Sequence, residues 1–427
     1  MTEAYELTAT EGLKAMEAGK LTAEAWVASC LERIRDRDPA VLAWEYLDGA
    51  GALGRARALD KAGGGGLAAG VPFGVKDIID TADMPTAYGT PIHQGHRPGR
   101  DAGCVAITRA AGAVLLGKTV STEFGHRHPG KTRNPFNPEH TPGGSSSGSA
   151  AAVGDRMIPL AYGTQTTGSV IRPAAFCGTI GYKPTYGDFN SNGVMPNSPT
   201  VDTLGAMVRS VEDLALVRSV LLEQPRVTLK PPAMKDLRIG FYRSPFWNRA
   251  EGYTQSHVEQ AARKLSALGA RVTDLELPGI DAGFENLFKQ LSGFEFARTV
   301  SWERFNRLEA LSADLREGRM KDGLETTYED YRNATRRLER LRLEIDDVLQ
   351  GYDVLITPSA PGEPPKGLTT TGSPIFNSIW TALGTPVVTL PLFRGPTGLP
   401  VGLQLTTGRC KDRRLFDIAD AMMKALG

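Results

Sequence analysis

The stretch spanning residues 143–181 constrains this chain more than any other. It is built largely from Gly, Ser, Ala and Thr, and its only charged residues are Asp155, Arg156 and Arg172. A run so poor in charge reads as a buried segment in which small side chains let backbone amides face a ligand. The rest of the 427-residue chain then has to enclose it. That length is ample for a large α/β fold with an interior site.

The flanking sequence alternates between helix and strand signals. Thr8 with Glu11 suits a capping box, and Trp26, Cys30, Leu31 and Ile34 repeat at helical spacing before Pro39. Residues 1–65 are therefore read as helices packed on the remainder. After the glycine run 63–66, the only low-complexity segment, Val71-Pro72-Phe73-Gly74-Val75 reads as a buried strand that delivers Lys76 and Asp77 at its C-terminal end. Helix followed by strand recurs at 105–111 with 113–116, and at 257–268 with 270–275. Such alternation predicts an α/β fold with a mixed central sheet covered by helices on both faces. Residues 327–349 predict a long charged helix with Tyr331, Leu338, Leu341 and Ile345 on its apolar side. No internal repeat is present.

Charge and composition exclude several functions. Lys+Arg total 49 against 48 Asp+Glu, a net charge of +1, so no broad basic field is available for nucleic acid or an anionic membrane. Cys30, Cys104, Cys177 and Cys410 are scattered and lack zinc or disulfide spacing. His93, His96, His126 and His128 come without an HExxH pattern or cysteine partners, so no metal and no cofactor are expected. The N-terminus lacks a basic stretch followed by an apolar run, and no segment approaches ~18 apolar residues. The expectation is a soluble, cytoplasmic protein with no nucleic-acid or membrane partner.

The chemistry-bearing signals are GGSSSGS at 143–149 and GTQTTGSVIRPA at 163–174. A phosphate-binding loop would need a lysine here, and none is present. A serine hydroxyl needs a base to become a nucleophile, and no histidine has a serine-hydrolase context. A lysine serves only when neutral, which requires burial and the absence of an unpaired carboxylate nearby. The uncharged surroundings of Ser145 and Ser169 suit that requirement.

These two motifs, together with VPFGVKDIIDTADMPTAYGT around Lys76, resemble the amidase signature family. The likeness extends through TPGG at 141–144, DTLGAMVRSVEDLA at 202–215 and GLPVGLQL at 398–405. It therefore covers nearly the whole chain as a single amidase signature domain, 1–427, with 66–215 as its catalytic core segment and 234–351 as a variable helical segment. The resemblance includes bacterial amidase, malonamidase-like and urethanase-like subgroups. It implies that Lys76 is the catalytic lysine, Ser145 the bridging serine on a cis peptide, and Ser169 the nucleophile. The oxyanion hole maps onto the backbone N–H groups of Thr166, Thr167, Gly168 and Ser169. The implied activity is hydrolysis of carboxamides, and of anilides or carbamates, through an acyl-enzyme on Ser169. The family also contains the glutaminase-type subunit of a tRNA-dependent amidotransferase, which works only with partner chains.

Two positions depart from the family pattern: Gln165 stands where an acid is frequent, and Thr167 where a second glycine is frequent. Arg172 follows Ser169 by three residues. It is left between two roles, a clamp for a substrate carboxylate and a support for loop carbonyls. Ile375, Phe376, Ile379 and Trp380 are read as an apolar pocket wall or, equally, as core. As a wall they predict a preference for uncharged amides or carbamates with an apolar part. The expected partner is a small-molecule amide or carbamate substrate, and homodimer formation is left open.

Overall fold

The structure, a computed structural model, describes residues 3–281 and 283–427. Eleven strands among the described residues form one sheet. They are β1 (Trp44–Leu47), β2 (Pro72–Lys76), β3 (Val114–Thr119), β4 (Leu160–Gln165), β5 (Ile180–Lys183) and β6 (Thr203–Val208). The series continues with β7 (Arg238–Tyr242), β8 (Arg271–Leu275), β9 (Val354–Pro358), β10 (Val387–Arg394) and β11 (Pro400–Thr406). Their order across the sheet is β1-β3-β2-β4-β6-β5-β10-β11-β9-β7-β8. This is the mixed sheet expected from the alternation.

Direction within the sheet sets up the site. β2 runs parallel to both β3 and β4, with Val75 opposite Tyr162, so the C-terminal ends of β2 and β4 emerge side by side. In open α/β sheets the crevice beyond such ends is where ligands bind. From β4 through β6, β5, β10, β11 and β9 every pairing is antiparallel. β7 then pairs in parallel with β8 and β9. The fully buried sequence of β2, PFGVK, carries no polar alternation, as a strand covered on both faces requires.

The helices form where the sequence signals them. Helix Ala9–Glu17 starts with the expected capping box: Thr8 accepts from the N–H of Glu11, whose carboxylate accepts from the N–H of Thr8 at 2.9 Å. Its first turn docks on Asp213, which accepts from the N–H of Thr10 at 2.8 Å and the N–H of Ala9 at 3.2 Å. Helix Ala23–Val41 buries Trp26, Cys30 and Ile34 but runs past Pro39 instead of stopping before it. A proline in the last turn removes only a terminal bond, and the helix ends where Leu42 adopts φ 56°. Helix Tyr328–Leu349 starts with a second capping box, Thr327 with Asp330, and buries Leu338, Leu341 and Ile345. No helix among the described residues is long and apolar enough to cross a membrane.

Candidate active site

Lys76 is the last residue of β2 and has no solvent exposure. Its Nζ lies 2.6 Å from Ser145 Oγ and donates to Thr164 Oγ1 at 2.9 Å. Burial pulls its pKa from 10.5 down to about 7, opposed by the charge of Asp202. Asp77, the next residue, does not restore the cationic form. Its side chain points to the other face, where it pairs with Lys118 of β3 at 3.3 Å and accepts from the N–H of Ala87 at 3.1 Å. Gly125 closes the site from a third direction with φ 65°. A Cβ there would lie 3.5 Å from Lys76 Nζ and 3.8 Å from Ser145 Oγ. The positive φ, rather than lack of room, is what favours glycine here.

The serine-rich loop is held by its own hydroxyls. The Gly144–Ser145 peptide is cis. Ser147 Oγ donates to the Gly143 carbonyl at 2.8 Å, and Ser146 Oγ accepts from the N–H of Thr164 at 3.2 Å. The N–H of Ser146 donates to the Ser169 carbonyl at 3.3 Å, joining this loop to the segment that follows β4. Ser169 is 7% exposed against 1% for Ser145, and its Oγ has no hydrogen-bond partner among the described residues.

The segment between β4 and helix Ile171–Phe176 carries a row of free donors. The N–H groups of Thr166, Thr167, Gly168 and Ser169 reach no acceptor among the described residues. Gln165 explains why the row stops there. Its Oε1 accepts from the N–H groups of Val170 and Ile171 at 2.9 and 3.0 Å, while its Nε2 donates to Thr381 Oγ1 at 2.9 Å. An amide supplies acceptor and donor together, which a carboxylate cannot. Thr381 Oγ1 in turn donates to the Thr167 carbonyl at 2.8 Å. Thr167 is not among the residues of positive φ, so its Cβ causes no left-handed strain. Gly168 has no room for a side chain, since a Cβ would meet Asn377 Oδ1 at 2.5 Å.

Arg172 takes the supporting geometry of its two readings. It is 4% exposed, and its Nη2 donates to the Gly144 carbonyl at 2.6 Å and to Thr371 Oγ1 at 3.2 Å. Ile375, Phe376, Ile379 and Trp380 are all buried in the main core, and Trp380 packs edge-to-face on Tyr242 at 5.4 Å. None of the four borders the cavity of about 440 Å³ beside the site. That cavity is bounded by Ile78, Gly125, Thr164, Thr166, Asn197 and Asp202, among others. His93 and His96 stay neighbours, with ring centroids 6.2 Å apart, and His93 lies 2.8 Å from Glu303, whereas His128 lies 2.8 Å from Asp314 and His126 stacks on Phe296.

Three contributors escape a reading of the sequence residue by residue. Thr164 and Asp202 sit inside the family-like motifs, which carry a signal for both. Asp202 is tied down by Thr166 Oγ1 at 2.6 Å and by the N–H groups of Asn197 and Ser198 at 2.6 and 2.8 Å. The third, Arg319, comes from the turn Arg316–Met320 in the least diagnostic part of the chain. It donates to Asn197 Oδ1 at 2.7 Å and Thr167 Oγ1 at 3.1 Å. Nothing local in the sequence marks it.

The chain as a whole has known relatives. A glutamyl-tRNA(Gln) amidotransferase subunit of Chloroflexus aggregans is 31% identical, with 99% of this chain and 97% of that protein aligned. Among solved structures, one described as an amidase superposes with a TM-score of 0.90 at 29% identity, over 99% of this chain and all of the other. The peptide amidase of Stenotrophomonas maltophilia gives a TM-score of 0.83 at 29% identity, over 99% of this chain and 97% of its own. The family model described as Amidase matches residues 25–416, and the chain belongs to that family, the amidase signature enzymes.

Proposed function

We propose that this enzyme hydrolyses carboxamides through an acyl-enzyme on Ser169, with Ser145 as the proton relay and Lys76 as the base. The observation that carries the reading is the buried Lys76 Nζ, 2.6 Å from Ser145 Oγ and with its pKa lowered to about 7. A lysine in that state accepts a proton near neutral pH. Ser169 Oγ attacks the carbonyl carbon and passes its proton to Ser145 Oγ, whose own proton moves to Lys76 Nζ. The carbonyl oxygen becomes an oxyanion facing the N–H groups of Thr166, Thr167, Gly168 and Ser169, which have no other acceptor among the described residues. Collapse breaks the C–N bond, and the proton returns through Ser145 to the departing amine. Water then repeats the sequence on the ester, releasing the acid and free Ser169. Anilides and carbamates present the same carbonyl and enter the same path.

Arg172 supports the path from the side. By holding the Gly144 carbonyl it fixes the peptide that presents Ser145. Ser169→Ala is expected to lower kcat on a simple primary amide by at least about 10³-fold while the circular dichroism spectrum is unchanged. Activity near that of the parent would remove Ser169 from the mechanism.

A second reading is favoured by the 31% identity to the Chloroflexus amidotransferase chain, whose name describes one component of an assembly. It predicts that the purified chain hydrolyses glutamine or other amides only when partner chains are added. Turnover of a primary amide by the chain alone selects the first reading.

A further inference from the structure

Backbone donors stabilise an oxyanion only while the loop that carries them is held in place. In the loop 166–169 none of the N–H groups is spent on that task, so anchoring falls to carbonyls and side chains. Thr166 Oγ1 donates to Asp202 Oδ1 at 2.6 Å, and the Thr167 carbonyl accepts from Thr381 Oγ1 at 2.8 Å. The Thr167 hydroxyl, a group that glycine at this position would not supply, accepts from Arg319 Nη2 at 3.1 Å.

The other Nη of the same guanidinium donates to Asn197 Oδ1 at 2.7 Å. Asn197 is itself a junction. Its N–H donates to Asp202 Oδ2 at 2.6 Å, which leads back to Thr166, and its Nδ2 donates to the Phe124 carbonyl at 3.1 Å. Phe124 precedes Gly125, which closes the site beside Lys76 Nζ. One planar group therefore joins the oxyanion loop, the segment around Asn197 and the turn at Gly125. Two acceptors on separate arms of a rigid fork suit a guanidinium and not an ammonium.

The chain delivers Arg319 on the π-type turn Arg316–Met320, within which Gly318 has the non-helical angles φ −99° and ψ −122°. A turn of this kind redirects a side chain within a helical run. On either side of Arg319, Leu315 and Met320 are buried in a small apolar cluster with Phe124, Phe296 and Leu311. The N–H of Ser312 donates to Glu123 at 3.3 Å. The turn is thus packed down on the residues just before Gly125.

We propose that Arg319 is a positioning residue of the hydrolytic reaction, setting the oxyanion loop through Thr167 Oγ1 and locking it to the turn at Gly125 through Asn197. The proposal rests on the acyl-enzyme reading and adds to that site a residue from the variable helical segment. Arg319 acts through the direction of the loop's N–H groups, without contacting the reacting carbonyl.

The test is a double-substitution cycle read on kcat and KM for a simple primary amide. Thr167→Val keeps the branched shape and removes the acceptor, while Arg319→Gln withdraws the guanidinium. Each is expected to lower kcat by at least about tenfold, the yield of one charge-assisted hydrogen bond, with KM within about twofold of the parent. Both remove the same contact, so the double variant is expected to match Arg319→Gln instead of multiplying the two losses. Thr167→Ser restores the hydroxyl and is expected to stay within about threefold of the parent, with Arg319→Lys in between. Thr167→Val leaves the helical segment untouched, so it reads the contact even if Arg319→Gln folds poorly. Losses that multiply in the double variant, an unchanged kcat in Thr167→Val, or a rise in KM alone would each overturn the proposal. Hydrogen–deuterium exchange without substrate separates the clamp from the chemistry, read at Val170 and Ile171, whose N–H groups donate to Gln165 at the end of the loop. Faster exchange there in Thr167→Val and Arg319→Gln supports the clamp even if Ser169→Ala shows that another group attacks. Unchanged exchange in both variants refutes it even where the amide is hydrolysed.

Discussion

A lysine that acts as a base near neutral pH has to be cut off from water, and Lys76 is; the carboxylate that opposes its shift, Asp202, is held by Thr166 and two backbone N–H groups. Burial lowers the Lys76 pKa to about 7, while Asp77 turns away to Lys118. The sign of the pH dependence follows. Below that pKa Lys76 is protonated and cannot accept a proton, so kcat/KM is expected to rise as pH increases through about 7 and to level above it. Lys76→Arg keeps the positive charge but cannot lose it, and is expected to lose at least about 10²-fold in kcat at every pH. A flat profile from pH 6 to 9 in the parent, or an active arginine variant, would show that another group takes the proton. At this scale Lys76, Ser145 and Ser169 stood out in the sequence through the motifs that carry the family resemblance, and the structure sets the first two 2.6 Å apart. Gln165 was less legible, since its difference from the usual acid looked like a departure. The residue accepts from two N–H groups and donates to Thr381, a pair of roles visible only once Thr381 has been brought alongside.

Elements were legible where one signal dominated. The apolar run before Lys76, the capping box at Thr8 and the helical spacing around Trp26 each specify local structure through their own bonds and buried faces. Pro39 misled because the local rule says where a proline is costly, not whether the helix has two residues left to run. The short helix Ser378–Leu383 shows a different limit. Its Ile379 and Trp380 suited a pocket wall and the core equally in the sequence; they fill the core, and the helix's contribution to the site is the hydroxyl of Thr381. Thr381→Val keeps the shape but deprives the Thr167 carbonyl and the buried Gln165 amide of their partner. The expected cost is about 1–3 kcal/mol of stability, seen as a lower denaturant midpoint, with kcat falling about tenfold as the oxyanion loop loosens. Unchanged kcat in a destabilised variant would confine Thr381 to a packing role.

The whole molecule joins pieces far apart in the chain. Lys76 comes from β2, Ser145 from the loop before β4, Ser169 from the loop after it, and Thr381 from a short helix near the other end of the chain. The parallel pairing of β2 with β4 makes this possible, because it brings to one edge two strand ends that are distant in sequence. That pairing follows from alternating helix and strand signals, so the sheet's mixed character could be expected. Its order could not, since strand neighbours are chosen by packing among distant segments. The same reasoning accounts for Arg319, whose position beside Thr167 depends on how residues 284–349 fold across the site. All these contacts bear on one claim, that Ser169 is the attacking nucleophile of a lysine-activated pair of serines. Peptide mass spectrometry after treating the intact enzyme with a fluorophosphonate tests it most directly. The account predicts one phosphonyl group, carried by Ser169, and no labelling when Lys76 is replaced by alanine; an adduct on Ser145 or Ser147, or full labelling without Lys76, would contradict it.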